Sequence, residues 1–261
     1  SGPAQIIVSG SFRITAHAAG TGDMAWWLDG MAWQAKSTPV LDGDMLYVHS
    51  WMASPAELGL PSVVPPFAQV LKDKDADKDG RLSKAESPDP EMTKIWFLID
   101  LDKDGSLDER EWKFHQARAS ARNGLFAIQL GGKGDLTGKA IRWRHEKSLP
   151  NIPSPLLYKD VLYVLREGGI VTTLNPTTGA VLKQGRLEGA LDPYYASPVA
   201  ADGKVYMVSM NGMLSVIKAG GQWELLAVSD LGEECWATPA IADGRIYVRT
   251  EGALYCFGTR S

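Results

Sequence analysis

The chain has 261 residues, 44% of them hydrophobic and 22% charged, with a formal net charge of -4; this is the make-up of an ordinary globular protein with one sizeable core, not of a disordered or fibrous chain. Basic and acidic residues interleave without a positive stripe, so no nucleic acid is expected as a partner. No apolar run approaches the roughly 18 residues of a membrane-spanning helix, and the opening "SGPAQIIVSGSF" lacks the basic start and apolar stretch of an export signal.

From the N-terminus, "QIIVSG", "FRITAHA" and "MAWWLDG" read as three strands. "STPVLDGDMLYV" from residue 37 then reads as a short apolar strand, a turn and a second, alternating strand, the pattern of a hairpin. That pattern recurs in "PSPLLYKDVLYV" from 153, "ASPVAADGKVYMV" from 196 and "ATPAIADGRIYVRT" from 237. Each copy places a tyrosine eight residues after a proline: Pro39 and Tyr47, Pro155 and Tyr163, Pro198 and Tyr206, Pro239 and Tyr247. Third strands follow in "GGIVTTL", "GMLSVIK" and "GALYCFG", and a fourth in "WELLAVSDL".

The prolines recur after 43 residues (155 to 198) and then 41 (198 to 239). Four antiparallel strands at this spacing predict an all-β fold, a β-propeller, whose blade period runs at roughly 40 to 50 residues. About four to five whole or partial blades are present. The N-terminal piece reads as a blade without its inner strand and the last as a blade without its outer one, so a missing N-terminal segment or a second chain is expected to complete a larger ring.

Pro155 follows Pro39 by 116 positions, about 74 more than one period, which predicts an insertion. Its edges are the proline-rich "MASPAELGLPSVVPP" and "RNGLFAIQL", where Asn123-Gly124 is expected to end a helix and a strand to resume. The domains are therefore a first propeller part over 1–53, a linker and insertion over 54–122, and a second propeller part over 123–261.

Within the insertion, "DADKDGRLSKAE" from 75 and "DLDKDGSLDERE" from 100 repeat one dodecapeptide. Calcium takes six to eight oxygen ligands, and a twelve-residue loop supplies them from positions 1, 3, 5, 7, 9 and 12 around a glycine at 6. The first loop offers Asp75, Asp77, Asp79, the Arg81 carbonyl, Ser83 and Glu86 around Gly80; the second offers Asp100, Asp102, Asp104, the Ser106 carbonyl, Asp108 and Glu111 around Gly105. Leu82 and Leu107 stand at the apolar eighth position, where paired loops meet in a short β-bridge. This is the EF-hand motif, and two calcium ions are the expected cofactor. Only 13 residues, 87 to 99, separate the loops, so the helices between them must be short. Met92 is the one methionine of the insertion, too few for the methionine-rich groove of a calcium sensor, which predicts a constitutive, structural ion.

The repeats resemble those of the pyrroloquinoline-quinone-like β-propellers, found in quinoprotein dehydrogenases and in outer-membrane assembly lipoproteins, which carry an A-x-D-x-x-T-G-K-x-x-W signature. "AHAAGTGDMAW" keeps Ala16, Thr21, Gly22 and Trp26 with Ala18 at the acidic position, and "TLNPTTGAVLK" keeps Thr178 and Gly179 with Lys183 in place of tryptophan. With the embedded EF-hand pair, the arrangement resembles propeller proteins of planctomycete-type bacteria. The resemblance implies a ring of about eight blades and an extracytoplasmic place, periplasmic or at the cell surface, with the export signal not in this chain.

It also implies where to look for chemistry. Quinone enzymes of this kind hold their cofactor on the propeller axis against a disulfide of adjacent cysteines. Cys235 and Cys256 are not adjacent, and their places at opposite ends of non-neighbouring strands exceed the roughly 7 Å Cα limit for a disulfide. Two free thiols, packed as small apolar groups, are expected, and pyrroloquinoline quinone is not. Segments leading into the inner strands converge on the axial face with Lys36, Asn151, Asp192, Tyr195, Glu233, Glu234 and Trp236, a set suited to a protein or a polar small-molecule or glycan ligand. His145 is expected on an outer strand. With no catalytic triad, phosphate loop or zinc spacing, the function read from the chain is a calcium-binding, non-catalytic binding or scaffold module; the alternative is a quinone- or sugar-linked oxidoreductase using the axial face.

Overall fold

The structure, a computed structural model, describes residues 3–52 and 63–258. Most of the proline-rich stretch that marks the insertion's first edge lies outside the described residues. The chain divides into two compact units, one formed by Ser1–Trp51 with Asn123–Ser261, the other by Met52–Arg122.

The first unit opens with three antiparallel strands, β1 (Gln5–Ser9), β2 (Arg13–Ala18) and β3 (Met24–Asp29); β4 (Val40–Asp42) and β5 (Met45–Ser50) follow as a hairpin. The second unit then runs through α1 (Phe67–Lys74), β6 (Leu82–Ser83), α2 (Pro90–Lys94), α3 (Trp96–Ile99), β7 (Ser106–Leu107) and α4 (Glu109–Ser120). Back in the first unit, β8 (Gly124–Gln129) and β10 (Ile141–His145) complete the sheet that β4 and β5 began, in the order β10-β8-β5-β4; the two-residue β9 (Gly134–Asp135) pairs with β3. A third sheet holds β11 (Leu156–Tyr158), β12 (Val161–Arg166), β13 (Ile170–Leu174) and β14 (Val181–Arg186). A fourth holds β15 (Val199–Ala201), β16 (Lys204–Val208), β17 (Met213–Lys218) and β18 (Glu224–Asp230), and a three-stranded fifth holds β19 (Ala240–Ala242), β20 (Arg245–Arg249) and β21 (Leu254–Phe257).

The proline–tyrosine spacing is a register. In each copy the residue after the proline faces the tyrosine across the hairpin: Val40 and Tyr47, Leu156 and Tyr163, Val199 and Tyr206, Ala240 and Tyr247. Two residues close three of these hairpins, Lys159-Asp160, Asp202-Gly203 and Asp243-Gly244, each pair with positive φ at both positions. That is the type I′ turn, whose twist matches the flanking strands.

Strands β5 and β12, the second strands of their blades, bury both faces, because successive side chains point to opposite sides. Leu46 and Val48 of β5 pack with Ile14, Trp26 and Leu28 of the first sheet, whereas Tyr47 between them packs with Leu162 and Val164 of the third. One blade on, Tyr163 and Leu165 of β12 pack with Val205 and Met207 of β16, and Val208 in turn meets Val248 of β20. Sheet therefore stacks on sheet in sequence order, as in a propeller. Side-chain hydrogen bonds lock the steps: Trp143 Nε1 donates to the Pro176 carbonyl at 2.8 Å, and its ring lies where a Cβ on Gly179 would come within 2.6 Å. Lys183, in the tryptophan position of the next repeat, sets its ammonium 4.3 Å from the Trp223 ring centroid.

Two expectations are corrected. The last helix of the insertion ends at Ser120, where Ala121 turns to extended backbone (φ -65, ψ 146), and not at Asn123-Gly124. Gly124 is instead the first residue of β8, where a Cβ would meet Arg144 and the Phe126 ring at 2.8 Å. The N-terminal sheet gains a strand on its outer edge, the parallel β9 beside β3, held in place as Leu136 donates to the Trp27 carbonyl at 2.8 Å and Asp29 N to Thr137 Oγ1 at 3.0 Å, while β1 stands at the opposite edge, on the side of the inner strand. Both thiols are free, but only Cys235 is packed in the core; Cys256 is exposed.

In the second unit, Leu82 of β6 pairs with Leu107 of β7, and both join a core with Val70, Met92, Ile95, Trp96, Ile99 and Trp112. The helices between the loops are indeed short, five and four residues; Asp89 caps the first by accepting from Glu91 N at 2.9 Å, with Pro90 at its first position.

Candidate functional site

The two acidic loops share one backbone. Lys78 and Lys103 both have φ of 62, and Gly80 and Gly105 follow with φ of 79 and 95, the left-handed turn that folds each loop back on itself. This turn aims backbone N–H groups inward. In the first loop Gly80 N donates to Asp75 Oδ2, Asp79 N to Asp77 Oδ1 and Arg81 N to Asp79 Oδ1; in the second Gly105 N donates to Asp100 Oδ2, Asp104 N to Asp102 Oδ1 and Ser106 N to Asp104 Oδ1. One oxygen of each aspartate is thus fixed and the other is left over.

Glu86 closes the first loop, its carboxylate accepting from Ala76 N and Ser83 N, and Glu111 closes the second in the same way from Leu101 N and Asp108 N. The Ser83 backbone N–H, then its hydroxyl, and then Ala76 hold the Glu86 carboxyl down to about 2, so it is ionised at any physiological pH. Asp104 is lowered too, chiefly by the Ser106 N–H.

Do these residues fit a cation? One carboxylate oxygen each from Asp75, Asp77 and Glu86, and likewise from Asp100, Asp102 and Asp104, lie within 4.8 Å of one another. Asp75 Oδ1 and Asp100 Oδ1 are buried without a hydrogen-bond partner, and Asp100 as a whole is only 7% exposed. A buried carboxylate oxygen with nothing to accept from is costly unless a cation completes it. The donor set is all oxygen, which suits a hard divalent ion.

The axial residues fall into pairs. Lys36 Nζ donates to Asn151 Oδ1 at 2.8 Å, bridging the second and third blades. Tyr195 and Trp236 occupy the same repeat position on successive blades and bring their rings to 4.5 Å. Trp236, 54% exposed, donates to Glu234, and both line a cleft of about 360 Å³ with Ala237, Arg249, Thr250 and Glu251. Asp192 and Glu233 turn elsewhere: Asp192 accepts from Ser209 Oγ and Asn211 Nδ2, and Glu233 from Thr250 Oγ1 and Gly252 N, each bracing the turn between the second and third strands of its own blade. The Thr250 hydroxyl, above all, lowers the Glu233 carboxyl. His145 ends the outer strand β10.

Sequence reasoning missed a row of hydroxyls. The residue before each aligned proline is Thr38, Ser154, Ser197 or Thr238, and these are joined head to tail: Thr38 N donates to Ser154 Oγ at 2.9 Å, Ser154 N to Ser197 Oγ at 3.0 Å, and Ser197 N to Thr238 Oγ1 at 3.0 Å. The signal was present, since all four positions carry a hydroxyl. Arg249 and Glu251 of the cleft gave no such signal.

The family model described as "Outer membrane protein assembly factor BamB" matches residues 135–260, a little under half of the chain. No curated protein matches it. Among solved structures, the chain is similar to BamB from Moraxella catarrhalis, with a TM-score of 0.54 at 13% identity over 97% of this chain and 54% of that one. It is also similar to a computationally designed protein, Ika8, with a TM-score of 0.53 at 12% identity over 97% of this chain and 57% of that one. The chain thus spans little more than half the length of either structure, and at these identities the likeness carries the β-propeller fold alone.

Proposed function

We propose that this chain is a calcium-binding β-propeller that serves as a non-catalytic binding or scaffold module outside the cytoplasm, its calcium held constitutively by an EF-hand pair. The observation that supports calcium is the matched set of leftover aspartate oxygens in two loops of one backbone, with Asp75 Oδ1 and Asp100 Oδ1 buried and unpartnered. The scaffold role rests on the BamB-like repeats, whose namesake is described as an assembly factor, and on an axial face that offers an aromatic pair, carboxylates and an arginine to a protein or polar partner.

At free calcium about a hundredfold above its dissociation constant, each ion adds on the order of 2.7 kcal/mol to the folded state. The ion is then a staple. Calorimetric titration of the chelated chain with calcium chloride is expected to show two bound ions and, with 1 mM calcium, a raised melting temperature. No heat of binding and an unmoved transition would remove the calcium reading. Titration with pyrroloquinoline quinone separates the oxidoreductase alternative: saturable quenching of tryptophan fluorescence, lost in Trp236→Ala, would favour it.

A further inference from the structure

The two loops match in backbone and in the geometry of their first three aspartates; position nine is Ser83 in one and Asp108 in the other, and they differ again at position seven. That residue is Arg81 in the first loop and Ser106 in the second. The Arg81 side chain leaves its own loop and crosses to the other, where Nε donates to Ser106 Oγ at 2.7 Å and Nη2 pairs with Asp104 Oδ2. The bridge of Leu82 with Leu107 and Ser83 with Ser106 fixes the crossing distance.

Asp104 Oδ2 is the leftover oxygen of its residue, because Oδ1 is already taken by Ser106 N and Ser106 Oγ. Of the six leftover aspartate oxygens, five have no hydrogen-bond partner among the described residues; the sixth holds an arginine. Nothing returns the contact, since Ser106 has no charge to send to Asp79. A guanidinium on a ligand oxygen competes with a metal ion for the same lone pair and adds a positive charge beside the site.

We propose that Arg81 is an internal counter-cation that regulates the second loop: it occupies the Asp104 oxygen that calcium would take, so the second loop binds more weakly and fills after the first. This rests on the calcium reading of both loops. Because Arg81 also stands at position seven of the first loop, whose carbonyl is a ligand in the calcium reading, the two sites are coupled through one amino acid. The ion pair is partly exposed, with 34% and 40% of the two side chains in solvent, so the effect is a modest one, about five-fold in affinity.

The test is calorimetric titration of the full chain with calcium, with one loop silenced at a time by Glu86→Gln or Glu111→Gln. Adding Arg81→Gln is expected to tighten the second loop about five-fold in the Glu86→Gln background and to leave the first within about two-fold in the Glu111→Gln background. Arg81→Lys, which keeps the charge and loses the fork, is expected to fall between, and serves if the glutamine variant folds poorly. Unchanged or weaker binding at the second loop in both Arg81 variants overturns the proposal while the calcium reading stands. Absence of calcium uptake by the unaltered chain would remove both.

Discussion

The stacked sheets and the paired loops both have to satisfy polar backbone in a small space, and they do so with different partners. In the sheets, strand meets strand, and the side chains between blades are left free to be apolar: Leu46, Val48, Phe126 and Ile128 on one side of the second blade, Tyr47, Leu125 and Ala127 on the other. In the loops, backbone N–H groups turn inward to aspartates, and the charge so gathered calls for a cation. The first unit is held by area, and the second, on the proposed calcium reading, by area and an ion. Each answers to different perturbations, and variants that strike one term at a time separate them.

The largest effect is expected from the sheets. Phe126→Ala removes a side chain that is 1% exposed between the first and second blades, and such truncations cost about 3 to 5 kcal/mol. Urea unfolding should show this loss equally with calcium and with chelator. A loss that depends on calcium would break the distinction between the units.

Acid should strike both units alike. His49 in the first is buried, donates from Nε2 to the Pro153 carbonyl at 2.8 Å, and is pushed down to about 4 by burial. His115 in the second is also lowered to about 4, by burial and then by the charge of Arg118. An unfolded imidazole takes its proton near 6.5. Between those values the unfolded chain binds the extra proton, so stability falls as the pH drops from 6.5 to 4 and is fully present above 6.5. For His49 the loss approaches roughly 3 kcal/mol at pH 4. His49→Gln should flatten this part of the pH–stability curve; an unchanged slope would show that the histidine is not its source.

Next comes the ion. Chelation is expected to lower the stability of the second unit by on the order of 2.7 kcal/mol per loop at hundredfold saturation and to leave the first unit's hydrogen exchange unchanged. Equal loss of protection in both units would show one cooperative block.

How much of this was legible in the residues depends on how far apart the interacting groups lie. Pro39 and Tyr47 are eight apart, inside one hairpin, so their spacing encodes a register, and the same holds for all four copies. The dodecapeptides are equally local, with every carboxylate and the N–H it meets within ten residues. The parallel pairing of β3 with β9 joins residues more than a hundred apart through only two residues, Gly134 and Asp135, without apolar alternation to announce it. Asp192 and Glu233 were legible as loop carboxylates, but a carboxylate ahead of a strand looks the same whether it faces a ligand or, as here, the turn of its own blade. The crossing of Arg81 to Asp104 was hidden for the same reason: both residues were read as loop members, and only the β6–β7 bridge brings them together.

The smallest effect lies at the hydroxyl row, and it tests how blades are held apart from their cores. Thr38, Ser154 and Ser197 give their N–H to the hydroxyl of the next blade, so removing a hydroxyl from Ser154, Ser197 or Thr238 leaves a single donor without its acceptor. Ser197→Ala strips the acceptor from Ser154 N, which is only partly buried, and a net hydrogen bond of this kind is worth about 1 kcal/mol. Thr238→Val, which keeps the shape and removes the oxygen that Ser197 N uses, should cost a similar amount, and the two losses should add because the bonds have no atom in common and link different blade pairs. If the double variant loses much more than the sum, the row acts as one cooperative belt. If neither variant moves the urea midpoint, blade packing alone sets the spacing, and the hydroxyls follow it.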